Sequence, residues 1–191
     1  LQHLTINRFL ELSDLSPLAA LPALQSLELG DLDELTNVVP LAACTRLKHL
    51  VLRDMRKLVD ISSLSACTNL QHLVLNFLGD DRLSRMEMAL PLPLGQCARL
   101  CHLEICGLYH MSDIKPLTQC MNLRHLVLSF LPISDLSPLA ACPHLEHLRL
   151  SFLSKLSTLS PLAQCECLQS LALCCLHHVT DLATLSLHAR S

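Results

Sequence analysis

A single pattern, Leu-x-x-Leu-x-Leu, recurs eight times along this chain, and it decides what the chain can fold into. It begins at Leu1, Leu24, Leu47, Leu70, Leu100, Leu123, Leu145 and Leu168, with spacings of 23, 23, 23, 30, 23, 22 and 23 residues. Numbered from its first Leu, every unit carries Leu at places 1 and 4 and Leu or Ile at place 6. In a short strand, places 4 and 6 point to one side and places 3, 5 and 7 to the other. One such strand cannot bury its apolar side alone. Eight stacked in parallel bury a continuous column of Leu, with each unit touching mainly its neighbours. The pattern predicts a curved α/β solenoid.

The second half of the unit has its own grammar. Ser16-Pro17-Leu18-Ala19-Ala20 returns as Ser137-Pro138-Leu139-Ala140-Ala141 and as Ser160-Pro161-Leu162-Ala163-Gln164. Ser as N-cap and Pro at the first helical position predict a short helix or 3-10 turn on the outer, convex side. Asp14, Asp60, Asp113, Asp135 and Asp181 stand just ahead of this turn. Their carboxylates are expected to accept hydrogen bonds from backbone N–H groups where the chain bends.

These features resemble the leucine-rich repeat family over essentially the whole chain. The repeat length and the DLSPLA turn look like the short repeats of internalin-type proteins. A Cys separated by two residues from the next unit, as in Cys142-Pro-His-Leu145, and the run Val179-Thr180-Asp181 look like the cysteine-containing subfamily. The family's Asn or Cys at place 9 is replaced here by apolar residues, among them Leu32, Met55, Leu108 and Leu131. The resemblance implies a parallel β-sheet on the concave face and short helical or 3-10 turns on the convex face.

The length suits one domain of about eight repeats over residues 1–191, and 51% of residues are hydrophobic. No run of about 18 apolar residues is present, so no membrane span is expected. A net charge of −3 with scattered basic residues gives no case for nucleic acid. The chain begins and ends inside a repeat, so a piece of a longer protein is expected. Of 11 Cys, six (Cys44, Cys67, Cys97, Cys120, Cys142 and Cys165) hold one repeat place. There they act as small hydrophobes, and parallel Cβ vectors disfavour disulfides between stacked neighbours. Reduced thiols and an intracellular location, cytoplasmic or nuclear, follow as expectations. The fourth unit is longer by about seven residues within 79–95, read as a longer convex turn or a protrusion that a partner contacts.

The concave face carries the candidate site. Place 3 is His3, Ser26, His49, His72, His102, His125, His147 and Ser170, so six of 11 histidines lie in one row. Adjacent strands place these imidazoles about 4.8 Å apart. Place 8 holds Phe77, Phe130 and Phe152, three of the four Phe, with Tyr109 nearby. Aromatic side chains beside a polar row make a plausible hot spot. The partner-binding residues are therefore His49, His72, His102, His125, His147, Phe77, Phe130, Phe152 and Tyr109. No residue is assigned to a metal or cofactor, because a flat, evenly spaced row does not close a tetrahedral shell. Cys174-Cys175-Leu176-His177-His178 matches no standard zinc spacing, and in Cys142-Pro143-His144-Leu145-Glu146-His147 the repeat accounts separately for Cys142, Leu145 and His147. No Cys–His pair stands out as nucleophile and base, so no catalysis is expected. The expected function is a protein–protein interaction scaffold that binds another protein or peptide through its concave face. The alternative is a metal- or pH-responsive surface built on the histidine row.

Overall fold

A computed structural model of the chain describes residues 1–78, 94–183 and 185–186. Each unit contributes one strand: β1 (His3–Asn7), β2 (Ser26–Gly30), β3 (His49–Met55), β4 (His72–Leu78), β5 (His102–Cys106), β6 (His125–Ser129), β7 (His147–Ser151) and β8 (Ser170–Cys174). The strands form one parallel sheet in chain order. Equal places face each other from unit to unit, from His3↔Ser26 to His147↔Ser170. The chain returns on the opposite side through 3-10 turns such as Ser16–Ala20, Lys115–Gln119 and Ser137–Ala141. This is the predicted solenoid.

The core is a column, filled from every unit at the same places. Leu47, Leu50, Leu52, Met55, Leu58, Ile61, Leu64 and Cys67 are all buried, and the units on either side repeat the arrangement. Each buried Leu contributes roughly 1.5–3 kcal/mol relative to exposure. The apolar residues at place 9 belong to this column: Leu32, Met55, Leu78, Leu108, Leu131 and Leu153 are buried. Packing thus replaces the side-chain hydrogen bonds that an Asn would make at that bend. Leu4 and Ile6 at one end, and Leu171 and Leu173 at the other, pack against the column but stay half-exposed, having a neighbour on one side.

Asp side chains set the turns. Asp14, Asp60, Asp113, Asp135 and Asp181 each accept the N–H of the residue two places on, at 2.7–2.8 Å. Asn37 and Thr158 do the same for Val39 and Ser160, both at 3.1 Å. These bonds hold the carboxyls of Asp14, Asp60 and Asp135 below their ordinary value. The Ser expected as N-cap is not the cap. Leu15, Leu136 and Leu159 occupy that position without a side-chain bond, while Ser16, Ser137 and Ser160 already lie within the turn. Asp14, Asp135 and Thr158, two residues earlier, accept the N–H of the Ser itself, which leaves the cap position free to bury a Leu.

No disulfide joins the 11 Cys, all of which lie among the described residues. Cys44, Cys67, Cys142 and Cys165 place Sγ 3.5–3.7 Å from the carbonyl oxygens of Leu18, Leu41, Leu117 and Leu139 in the preceding unit. Burial raises these thiols and that of Cys120, with Cys67 and Cys120 pushed up to about 12 and Cys142 to about 11. They are protonated packing residues, not nucleophiles. The longer stretch of the fourth unit lies outside the described residues through 93, and the pattern resumes at Leu94–Gln96.

Candidate functional site

The strands end on a conformation that the repeat imposes. Place 8 is Arg8, Asp31, Asp54, Phe77, Gly107, Phe130, Phe152 and Cys175, and every one has positive φ, between 51° and 69°. The geometry explains why. The N–H at place 8 still donates to the next coil, as from Gly107 to Ser129 O, Phe130 to Ser151 O and Phe152 to Cys174 O, at 3.0–3.1 Å. The chain must then turn at once to bury place 9. A left-handed residue meets both demands, and it costs roughly 1–2 kcal/mol for anything but Gly.

Three Phe accept that cost while remaining at the surface. Phe77, Phe130 and Phe152 are 41%, 36% and 41% exposed. Phe130 and Phe152 stack at 4.3 Å between ring centroids with planes 7° apart. Phe77 meets Phe130 at 6.4 Å, tilted 45°, across the coil that carries Gly107. Gly107 has no side chain at the very place where the Phe77 ring lies. The result is an aromatic ridge along the edge of the sheet.

Two clefts flank the Phe130–Phe152 stack. One, of about 370 Å³, is lined by Tyr109, Leu131, Pro132, Ser154 and His177 on the loop side. The other, of about 240 Å³, opens on the concave face between Glu104, Val127, Arg149 and Ser151. Two oxygens beneath this face, Asn76 Oδ1 and Ser151 Oγ, are buried with no hydrogen-bond partner among the described residues. Such orphaned groups are rare in folded chains. Glu104, Arg149, Ser151 and Pro132 were not singled out by the repeat reading, because their places vary from unit to unit and carry no strong periodic signal.

The histidine row is present but unevenly spaced. Ring centroids are 5.8 Å apart for His49–His72, 4.0 Å for His72–His102, 5.8 Å for His102–His125 and 4.4 Å for His125–His147. The even spacing of about 4.8 Å expected from strand separation therefore gives way to two stacked pairs. Side-chain rotation lets imidazoles pair without moving the backbone. His49 is exposed, and the other four are half-buried. Burial lowers His72 and His102 from their ordinary value; neighbouring imidazoles add to this and Glu104 opposes it. Tyr109 stands apart from the row, on the loop side of the ridge, 46% exposed.

Residues 122–164 match the family model for leucine-rich repeats in two copies. These residues are leucine-rich repeats. Internalin C2 of Listeria monocytogenes has a similar structure, with TM-score 0.73 and 23% identity over 95% of this chain and 75% of the other. A second internalin of that organism, inlF, gives TM-score 0.58 and 23% identity over 100% of this chain and 66% of its own length. The leucine-rich repeat domain of the type III effector XopL gives TM-score 0.64 and 21% identity over 88% of this chain and 58% of that chain. At such identities the likeness establishes the leucine-rich repeat fold. No curated protein sequence matches the chain.

Proposed function

We propose that this leucine-rich repeat domain is a protein–protein interaction scaffold without catalysis, which holds another protein or peptide against the Phe77–Phe130–Phe152 ridge and the adjoining concave face. The leucine-rich repeat fold in general mediates protein–protein interaction. The observation that carries the proposal is the Phe130–Phe152 pair. Both rings are exposed, both sit on left-handed backbone, and both border clefts. The repeat imposes that backbone on every unit, so the feature that points to a partner is the placing of exposed, stacked aromatic rings there. Tyr109 contributes one wall and the histidine row the polar side, and Glu104 and Arg149 offer opposite charges for orientation.

The free thiols buried in the column support a reducing, intracellular setting for this binding. No helix among the described residues is long and apolar enough to cross a membrane. The test is differential capture. Proteins retained by the parent chain should be lost with the double variant Phe130→Gly, Phe152→Gly and kept with Ser16→Ala on the convex turn. Equal capture by all three would contradict the assignment.

A further inference from the structure

We propose that His125, Glu146 and His147 form a binding site for a divalent transition-metal ion of the Zn²⁺ class. His125 on β6 and His147 on β7 face each other in register. Their rings stack at 4.4 Å with planes 11° apart. Glu146 immediately precedes β7. One nitrogen from each imidazole and one carboxylate oxygen lie within 4.8 Å of one another, and all three residues are half-buried. Among the described residues, this is the one group of three His, Cys, Asp or Glu that converges in this way.

A zinc-like ion sits roughly 2.0–2.2 Å from nitrogen and oxygen ligands, which holds them about 3–3.5 Å apart. Closure therefore needs a contraction on the order of 1 Å, within reach of side-chain rotation at a half-exposed surface. Two imidazoles and a carboxylate suit a borderline cation and leave coordination positions open to water or to a partner's side chain.

The row alone cannot do this, because imidazoles along a flat sheet supply ligands in line and no third direction. Place 2 supplies it. Across the eight units that place is a carboxylate once, at Glu146. The other close pair, His72–His102, stacks at 4.0 Å but has Gln71 and Cys101 there. It is an internal control with two stacked imidazoles and no carboxylate at place 2.

Arg124 sharpens the proposal. Its guanidinium donates to Glu146 Oε1, leaving Oε2 for an ion. Arg124 also places a positive charge beside the site, so it competes with a cation. Removing it must tighten binding, whereas removing a merely structural ion pair would not.

The test is a Zn²⁺ titration of the reduced chain followed through its imidazole NMR resonances. The exposed thiols Cys167, Cys174 and Cys175 are replaced by Ser to silence competing sulfur ligands. His125 and His147 should shift together and saturate at one equivalent, ahead of His72 and His102. Glu146→Gln should weaken binding by about tenfold or more, and Arg124→Gln should strengthen it by removing a like charge from beside the ion. Should Glu146→Gln fail to fold by circular dichroism, His147→Gln takes its place with the same expectation. A uniform response along the row, an unchanged affinity in the Glu146 or His147 variant, or weaker binding in Arg124→Gln would overturn the site.

Discussion

The ring of Phe77 occupies the space that a side chain on Gly107 would fill: a Cβ there would lie 2.5 Å from Phe77 Cε1 and 3.0 Å from Cγ. Gly107 also has φ of +69°. Backbone strain from Gly107→Ala is about 1–2 kcal/mol, the same burden the other seven units carry at this place. Displacement of the Phe77 ring adds to it. In a Phe77→Ala background the substitution should cost less, because the ring is gone. A double-mutant cycle by chemical unfolding reads this coupling. Strict additivity would mean that the ring is not seated over Gly107 in solution.

The column makes a second prediction. Leu126 on β6 is 1% exposed, and Leu126→Ala should cost roughly 2–5 kcal/mol. Because contacts run between neighbouring coils, hydrogen exchange should speed up most in β5, β6 and β7. Uniform loosening from β1 to β8 would contradict a solenoid of near-neighbour contacts.

The fold was legible because each unit repeats the same Leu places, and eight copies of one solution leave no competing pattern. The Asp-capped turns were legible for the same reason, although the cap itself proved to be Leu15 or Leu136 rather than Ser. The left-handed place 8 was not. Gly107 carries the usual signal for positive φ and Asp31 and Asp54 a weaker one, while Arg8, Phe77 and Phe130 hide it. The repeat enforces that conformation through tertiary hydrogen bonding, which overrides local preference. The uneven pairing of the histidines was equally hidden, since it depends on side-chain rotation. Glu146 was weighed only within the local run Cys142–His147, because the partner on the neighbouring strand, His125, lies 21 residues earlier in sequence.

His72 makes a third prediction, at acidic pH. Burial holds it below its ordinary value of 6.5, with His102 and His49 on either side adding to the shift and Glu104 opposing it. The folded value lies below the unfolded one, so the neutral ring is the one the fold favours. Its contribution is fully present above pH 6.5 and is lost as pH falls from there through the folded value. An NMR titration should place the midpoint of His72 below 6.5. Because burial is the larger cause, the midpoint should stay low in His102→Gln. A return to the ordinary value in that variant would make ring–ring repulsion the cause instead.

The central claim is that Phe130 and Phe152 are kept for a partner and not for the fold. Losing the stack costs about 0.5–1.5 kcal/mol and losing the partial burial of two rings roughly 2–4 kcal/mol, while two Gly recover about 2–4 kcal/mol of backbone strain. These opposing contributions offset to within about 1–2 kcal/mol. The direct measurement is thermal unfolding of Phe130→Gly, Phe152→Gly beside Leu131→Ala, whose side chain is buried in the column. The double Gly variant should melt within about 4 °C of the parent, the equivalent of roughly 1 kcal/mol at this chain length. Leu131→Ala should fall well below both. A double Gly variant that melts as low as Leu131→Ala would show that the ridge is part of the core, and the account would fail.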